Sequence, residues 1–164
     1  MSAHEEATHR AAAQAVMAML EGTPFDHVSV DGIELEWPTG DLRPREDMLA
    51  EAAIGLAGVA AIDCYRFGIP PPDADTFVVA AHLTGAQLGD WRLVREMICD
   101  VDPDDASDAL FLVWKYAEST ILTPDTWTAI EAIAAALERG PLSAREVNRL
   151  ARDAAASVLR DVRP

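Results

Sequence analysis

The chain has 164 residues, carries 28 acidic against 13 basic residues for a net charge of −15, and is half apolar. That length suits a single domain, residues 1–164, large enough to bury a core. The charge argues against nucleic acid and against anionic membrane surfaces, whose phosphates need a basic face. No apolar run reaches the roughly 18–20 residues that span a bilayer, so no transmembrane segment is expected. The start, Met1-Ser2-Ala3-His4-Glu5-Glu6, lacks the basic and apolar regions of a signal peptide. A soluble, cytoplasmic protein is the expectation, with Cys64 and Cys99 as two buried free thiols.

In chain order, a first helix is predicted from about Ala3 to Glu21, with Ala12, Ala15, Val16, Met19 and Leu20 as its apolar stripe. The breaker cluster Gly22-Thr23-Pro24 stops it. Phe25–Val30 and Ile33–Trp37 alternate apolar and polar residues around Asp31-Gly32, the pattern of a β-hairpin. A second helix, about Pro44 to Phe67, is rich in Ala and Gly. Because glycine lowers helix propensity, Gly55 and Gly58 imply a close packing partner, and this is expected to be the central helix. Gly68–Asp73 forms a stiff loop. A third helical region covers about Asp75 to Cys99, with interruptions near Thr84-Gly85 and Gly89. The aspartate-rich stretch Asp100–Asp108 reads as a solvated linker and helix start.

A fourth helix follows from about Ala106 to Ile121. Thr123-Pro124-Asp125 supplies an N-cap, a first-turn proline and a dipole-matching acid for a fifth helix ending near Arg139. Gly140-Pro141 stops it, and the capping box Ser143–Glu146 opens a sixth. The expected fold is mainly α, a single-domain bundle of about six helices with a small β-hairpin after the first.

The first helix also carries a residue pattern. Arg10-Ala11-Ala12-Ala13-Gln14-Ala15-Val16-Met17-Ala18-Met19-Leu20-Glu21-Gly22 runs without a gap along H-E-A-G-H-A-V-V-A-L-L-L-G, and so resembles the catalytic helix of the FtsH-type zinc peptidases. Three further stretches follow in the family's order. Ala57-Gly58-Val59-Ala60-Ala61-Ile62-Asp63 with Phe67-Gly68 is similar to A-G-x-A-A-E-E…F-G. Thr84-Gly85-Ala86-Gln87-Leu88-Gly89-Asp90-Trp91 is similar to T-G-A-S-x-x-D-L with one extra residue. Trp127–Ala134 and Leu142–Val147 resemble the last two helices. The likeness spans roughly residues 7–151, without the family's ATPase module or membrane tether, and implies a metallopeptidase-like fold.

By the same resemblance, Arg10 stands at the first ligand histidine, Ala11 at the general-base glutamate and Gln14 at the second histidine. Ile62 and Asp63 stand at the two glutamate positions of the second motif, and Asp90 at the third ligand. Zinc chemistry needs two imidazoles on one helical face and a carboxylate to activate water. Of that set only Asp90 has a counterpart, so no metal and no cofactor are expected. Arg10 and Gln14, at i and i+4, share a face and are candidates to reach Asp90, a guanidinium replacing the cation's charge. His4-Glu5-Glu6-Ala7-Thr8-His9 has one residue too many for H-E-x-x-H, which sets its histidines about 140° apart on a helix. His27, His82 and Trp91 are candidate cleft-lining residues.

The expected function is that of a metal-free pseudopeptidase, a binding or regulatory protein whose cleft takes a peptide, protein or small-molecule ligand. The alternative is a repurposed, metal-independent enzyme with Asp90 as catalytic base. A zinc peptidase with unorthodox ligands ranks third.

Overall fold

A computed structural model describes residues 2–36, 44–67 and 85–161. Among them are six helices and a three-stranded antiparallel sheet: α1 (Ala3–Glu21), β1 (Phe25–Ser29), β2 (Gly32–Leu35), α2 (Arg45–Phe67), α3 (Gly85–Val101), α4 (Ala106–Ile121), α5 (Pro124–Leu137), β3 (Leu142–Ser143) and α6 (Ala144–Asp161). The mainly helical fold with a hairpin after the first helix is therefore as expected. The Gly68–Asp73 loop, Thr84, His82 and Trp37 lie outside the described residues.

α1 begins at a reciprocal cap. Glu5 N–H donates to Ser2 Oγ at 3.2 Å, and Ser2 N–H donates to Glu5 Oε2 at 2.6 Å. It ends at Gly22, whose φ of 69° only glycine adopts readily, and whose N–H reaches the Ala18 and Met19 carbonyls. Between these ends every residue from Ala11 to Ala18 is buried. The expected narrow stripe is thus replaced by a helix enclosed on all sides, with Leu20 half exposed instead of in the core. Alanine explains this: with no bulk to hold neighbours off, α2, α5 and the sheet all close onto α1.

α2 is equally enclosed, with Ala52, Ala53, Ala57, Ala60 and Ala61 buried. Its glycines have the packing partner their cost implied. A Cβ on Gly58 would lie 3.0 Å from Gln14 Cγ and 3.1 Å from Arg10 Cγ, and one on Gly55 only 2.8 Å from Val94 Cγ2. α2 can approach both α1 and α3 because those Cβ atoms are missing.

The helices stack in a row. α6 packs on α5, α5 on α1, α1 on α2, and α3 and α4 both pack on α2. Trp91 of α3 meets Trp114 of α4 edge-on, ring centroids 6.1 Å apart at 75°, a pairing worth ~0.5–1.5 kcal/mol beyond area burial. α3 runs unbroken through Gly89, so the interruption expected there is absent. At α5, Thr123 is the N-cap as predicted, but its hydroxyl is engaged with Thr120 O at 3.1 Å and Thr126 Oγ1 at 2.7 Å instead of capping the helix.

The sheet order is β2-β1-β3. β1 pairs with β2 at Phe25↔Leu35, Val28↔Ile33 and Ser29↔Gly32, and with β3 at His27↔Ser143 and Val28↔Leu142. Gly32, at φ 133°, completes the turn. Ser143 ends β3 and also caps α6: its Oγ accepts from Glu146 N–H at 3.4 Å, and its own N–H donates to Glu146 Oε2 at 2.9 Å. No helix among the described residues is long and apolar enough to cross a membrane. Cys64 is buried as expected; Cys99 is exposed, a correction, because its place near the end of α3 lies beyond the buried pair Met97 and Ile98.

Candidate functional site

Arg10 and Gln14 sit one turn apart on α1 and face Asp90 on α3, eighty residues away in sequence from Arg10. Arg10 Nε donates to Asp90 Oδ2 at 2.6 Å, and Nη2 to Oδ1 at 2.8 Å, a two-pronged guanidinium–carboxylate pair. Gln14 Nε2 adds a third bond to Oδ2 at 3.2 Å. Arg10 Nη1 reaches the Asp31 carbonyl in the hairpin turn at 3.4 Å. The side chains of Arg10 and Asp90 are only 13% and 16% exposed, so the pair is largely screened from water. Gly58 makes this geometry possible, since any side chain there would press on the stems of Arg10 and Gln14.

Next to this network lies a recess of about 160 Å³. Ile33 and Leu35 of β2, Ile54 of α2, and Leu93, Val94 and Met97 of α3 form its apolar walls. Arg10, Gln14 and Asp90 form its polar end, with Asp31 and Glu51 also lining it. Pockets for drug-sized molecules run to roughly 300–1,000 Å³. This one has room for about one amino-acid side chain.

The donor set does not fit a zinc ion. Both oxygens of Asp90 accept from Arg10, whose guanidinium puts positive charge where a dication would sit, and Gln14 offers a neutral amide. Among the described residues, no three His, Cys, Asp or Glu side chains gather as metal ligands do. Asp90 is equally ill-placed as a general base, because three of its roughly four lone-pair sites are engaged and the bound guanidinium obstructs a substrate's approach.

The other sequence candidates fall elsewhere. Ala11 and Ile62 are core residues, and Asp63 does not line the recess. Trp91 is a correction: it is 7% exposed and turned toward Trp114, so it packs the core and not a cleft. His27 is a second correction, since it lies on the solvent side of the central strand, away from the recess. His82 lies outside the described residues. His4 is exposed, and His9 Nδ1 bonds the Glu5 carbonyl at 2.8 Å.

Sequence reasoning missed the walls of the recess. The signal was present in α3, where Leu93 adds an apolar position beside Val94 and Met97 and stays 56% exposed. It also missed a buried polar group. Glu118, 6% exposed, pairs with Lys115 at 2.9 Å, while its Oε1 and the neighbouring Trp114 Nε1 find no hydrogen-bond partner among the described residues. Burial pushes the Cys64 thiol up to about 12, helped by the negative charges of Glu118 and Asp63. No protein-family model matches the chain, and no curated protein matches it either.

Proposed function

We propose that this chain is a metal-free relative of the FtsH-type zinc peptidases that binds an extended peptide and does not cleave it. The observation that carries this reading is the Arg10–Asp90 pair with Gln14, because the three positions that would hold zinc in that family bond to one another instead. The recess beside it supports a binding role: it is apolar on its walls, open to solvent and the size of one side chain. β2 lies at the edge of the sheet and contributes Ile33 and Leu35 to the recess. A peptide added alongside β2 would exchange backbone hydrogen bonds with that strand and drop one apolar side chain into the recess. Ligands with a basic residue beside that apolar one fit best, given Asp31 at its margin.

The test is an NMR titration of the full chain with blocked pentapeptides of β-branched residues carrying one central Leu, Met or Phe. Shifts and slowed exchange at the Gly32–Leu35 amides, a shift at Arg10 Nε–H, and recovery of intact peptide are expected. Silence at β2 at millimolar peptide would remove the binding role. Hydrolysis that disappears in Asp90→Asn would transfer support to a repurposed enzyme.

A further inference from the structure

The overall charge conceals a division of the chain. From Arg139 onward come six of its 13 basic residues, Arg139, Arg145, Arg149, Arg152, Arg160 and Arg163. Within α6, Arg145, Arg149 and Arg152 follow at i, i+4 and i+7, and Arg160 comes eleven residues after Arg149. On a helix of 3.6 residues per turn these four fall inside an arc of about 80°. All four are exposed, as is Ala156 between them. The exposed acids Glu146 and Asp153 of α6 lie to the side of that arc. The result is an arginine stripe about 22 Å long on the outward face of α6. Arg149 lies near enough to Glu146 to help lower its pKa, but among the described residues none of the four is held in an ion pair. Leu159, 68% exposed, borders the stripe.

The opposite edge of the helical row carries the complement. α6 packs on α5, α1 and the sheet, and makes no comparable contact with α3 or α4. Between α3 and α4 run Asp100, Asp102, Asp104, Asp105 and Asp108. Asp102 is held by Arg45 at 2.9 Å, while the other four are exposed and unpaired among the described residues. One turn on, α4 exposes Phe111 and Leu112, at 42% and 66%.

We propose that these two faces are the halves of a head-to-tail contact between copies of this chain, the α6 arginine stripe of one on the Asp100–Asp108 segment of the next. Arg145, Arg149 and Arg152 would meet Asp104, Asp105 and Asp108, and Leu159 would meet Leu112. A long polyanion suits the stripe less well, because the remainder of the chain is strongly acidic and would repel whatever extends past α6. Between two copies the attraction is local, and repulsion beyond about 10 Å is screened at ordinary salt. Because the two faces differ, each copy keeps one free face, and association continues beyond a dimer. This inference is independent of the peptide-binding role.

Sedimentation of the full chain at rising concentration tests it, at roughly 0.05 M and 0.5 M salt. Two variants accompany the wild type: Arg145→Glu/Arg149→Glu/Arg152→Glu, and Asp104→Lys/Asp108→Lys, which leaves Asp105 at the N-terminus of α4 unchanged. The expected wild-type mass climbs past that of a dimer at low salt, and association weakens by at least about tenfold at high salt. Each variant alone is expected to stay monomeric, and an equimolar mixture of the two to associate again. A wild type that stays monomeric at low salt overturns the proposal. So does association that survives both reversals, or a mixture that fails to recover it, since either would put another surface in the contact. Circular dichroism establishes folding, and if a reversal unfolds the chain, Arg149→Gln/Arg152→Gln should still weaken association.

Discussion

Replacing Asp90 with alanine is the sharpest perturbation available. It removes both prongs of the Arg10 pair and the Gln14 bond together. Among the described residues, Arg10 is then left 13% exposed with only the long contact to the Asp31 carbonyl, and Gln14 loses its one acceptor. Breaking a buried ion pair by deleting one partner costs ~3–5 kcal/mol. The recess lets water reach this pair, so the low end applies, about 3 kcal/mol. That corresponds to roughly a hundredfold in the folding constant, and to a Tm lowered by about 6–12 °C for a domain of this size. Urea unfolding followed by tryptophan fluorescence measures it, with Trp91 adjacent in sequence as reporter. A cycle with Arg10→Met and the double variant Arg10→Met/Asp90→Ala isolates the pair, and a coupling of about 2 kcal/mol is expected. The double variant should be more stable than Asp90→Ala, because it leaves no stranded charge. A cost below about 1 kcal/mol for Asp90→Ala, with no measurable coupling, would refute a screened pair between α1 and α3.

Four further outcomes follow from the packing. Gly58→Ala gains up to about 1 kcal/mol of helix propensity but forces Gln14 and Arg10 to yield, for a net loss of ~1 kcal/mol. Gly89→Ala, with nothing within 4 Å of its added methyl, should stabilise by about 0.5–1 kcal/mol. Equal signs in the two unfolding curves would undo the packing account of Gly58. In thiol titration at pH 8, Cys99 alone should react in the folded chain and Cys64 only after unfolding; two fast thiols would contradict the burial of Cys64. The Cys64 pKa rises on folding from an ordinary 9.0 to about 12, so the thiol favours the folded state fully below pH 9, and that contribution is lost as pH climbs toward 12. Stability against pH should therefore fall over that alkaline window, and less steeply in Cys64→Ala.

What the sequence made legible was mostly local. The span of α1 follows from Gly22-Thr23-Pro24 at one end, and that of α4 from the proline and aspartates before it and Thr123-Pro124 after it. Asp31-Gly32 marked the hairpin, and Ser143 with Glu146 marked the start of α6. The Arg10–Asp90 meeting was legible only because residue types at i and i+4 of one helix suited a carboxylate placed far away by resemblance. Three features were not legible, each for a physical reason. β3 is two residues long, too short for any alternation, and exists because β1 lies where α5 hands over to α6. Trp91 and His27 have side chains that suit a cleft or a core equally, and only the crossing of α3 with α4 and the facing of β1 decide between them. The stripe on α6 was hidden by summation, since net charge adds Arg145 to aspartates on the far side of the molecule.

A fold held by an arginine–carboxylate pair depends on different conditions from one held by a metal. A metal site makes stability a function of free ion, adding RT ln(1 + [L]/Kd), about 2.7 kcal/mol when the ion is at a hundred times its Kd. It also ties folding to the protonation of the ligands and exposes the protein to chelators. A guanidinium supplies its charge covalently and stays protonated across the physiological range. α1 and α3 are joined by Arg10 and Asp90 whatever the metal supply. Thermal unfolding curves in excess EDTA and in equimolar zinc should superimpose, and elemental analysis of untagged protein should find zinc far below one ion per chain. The Arg10→His/Gln14→His variant separates the two ways this could turn out. With Asp90 it recreates three ligands of the family pattern, and its Tm should rise with zinc if the resemblance extends to the geometry of the site. Zinc-dependent stabilisation of the wild type would instead mean that ions bind in spite of the Arg10–Asp90 pair, and the metal-free reading would fall.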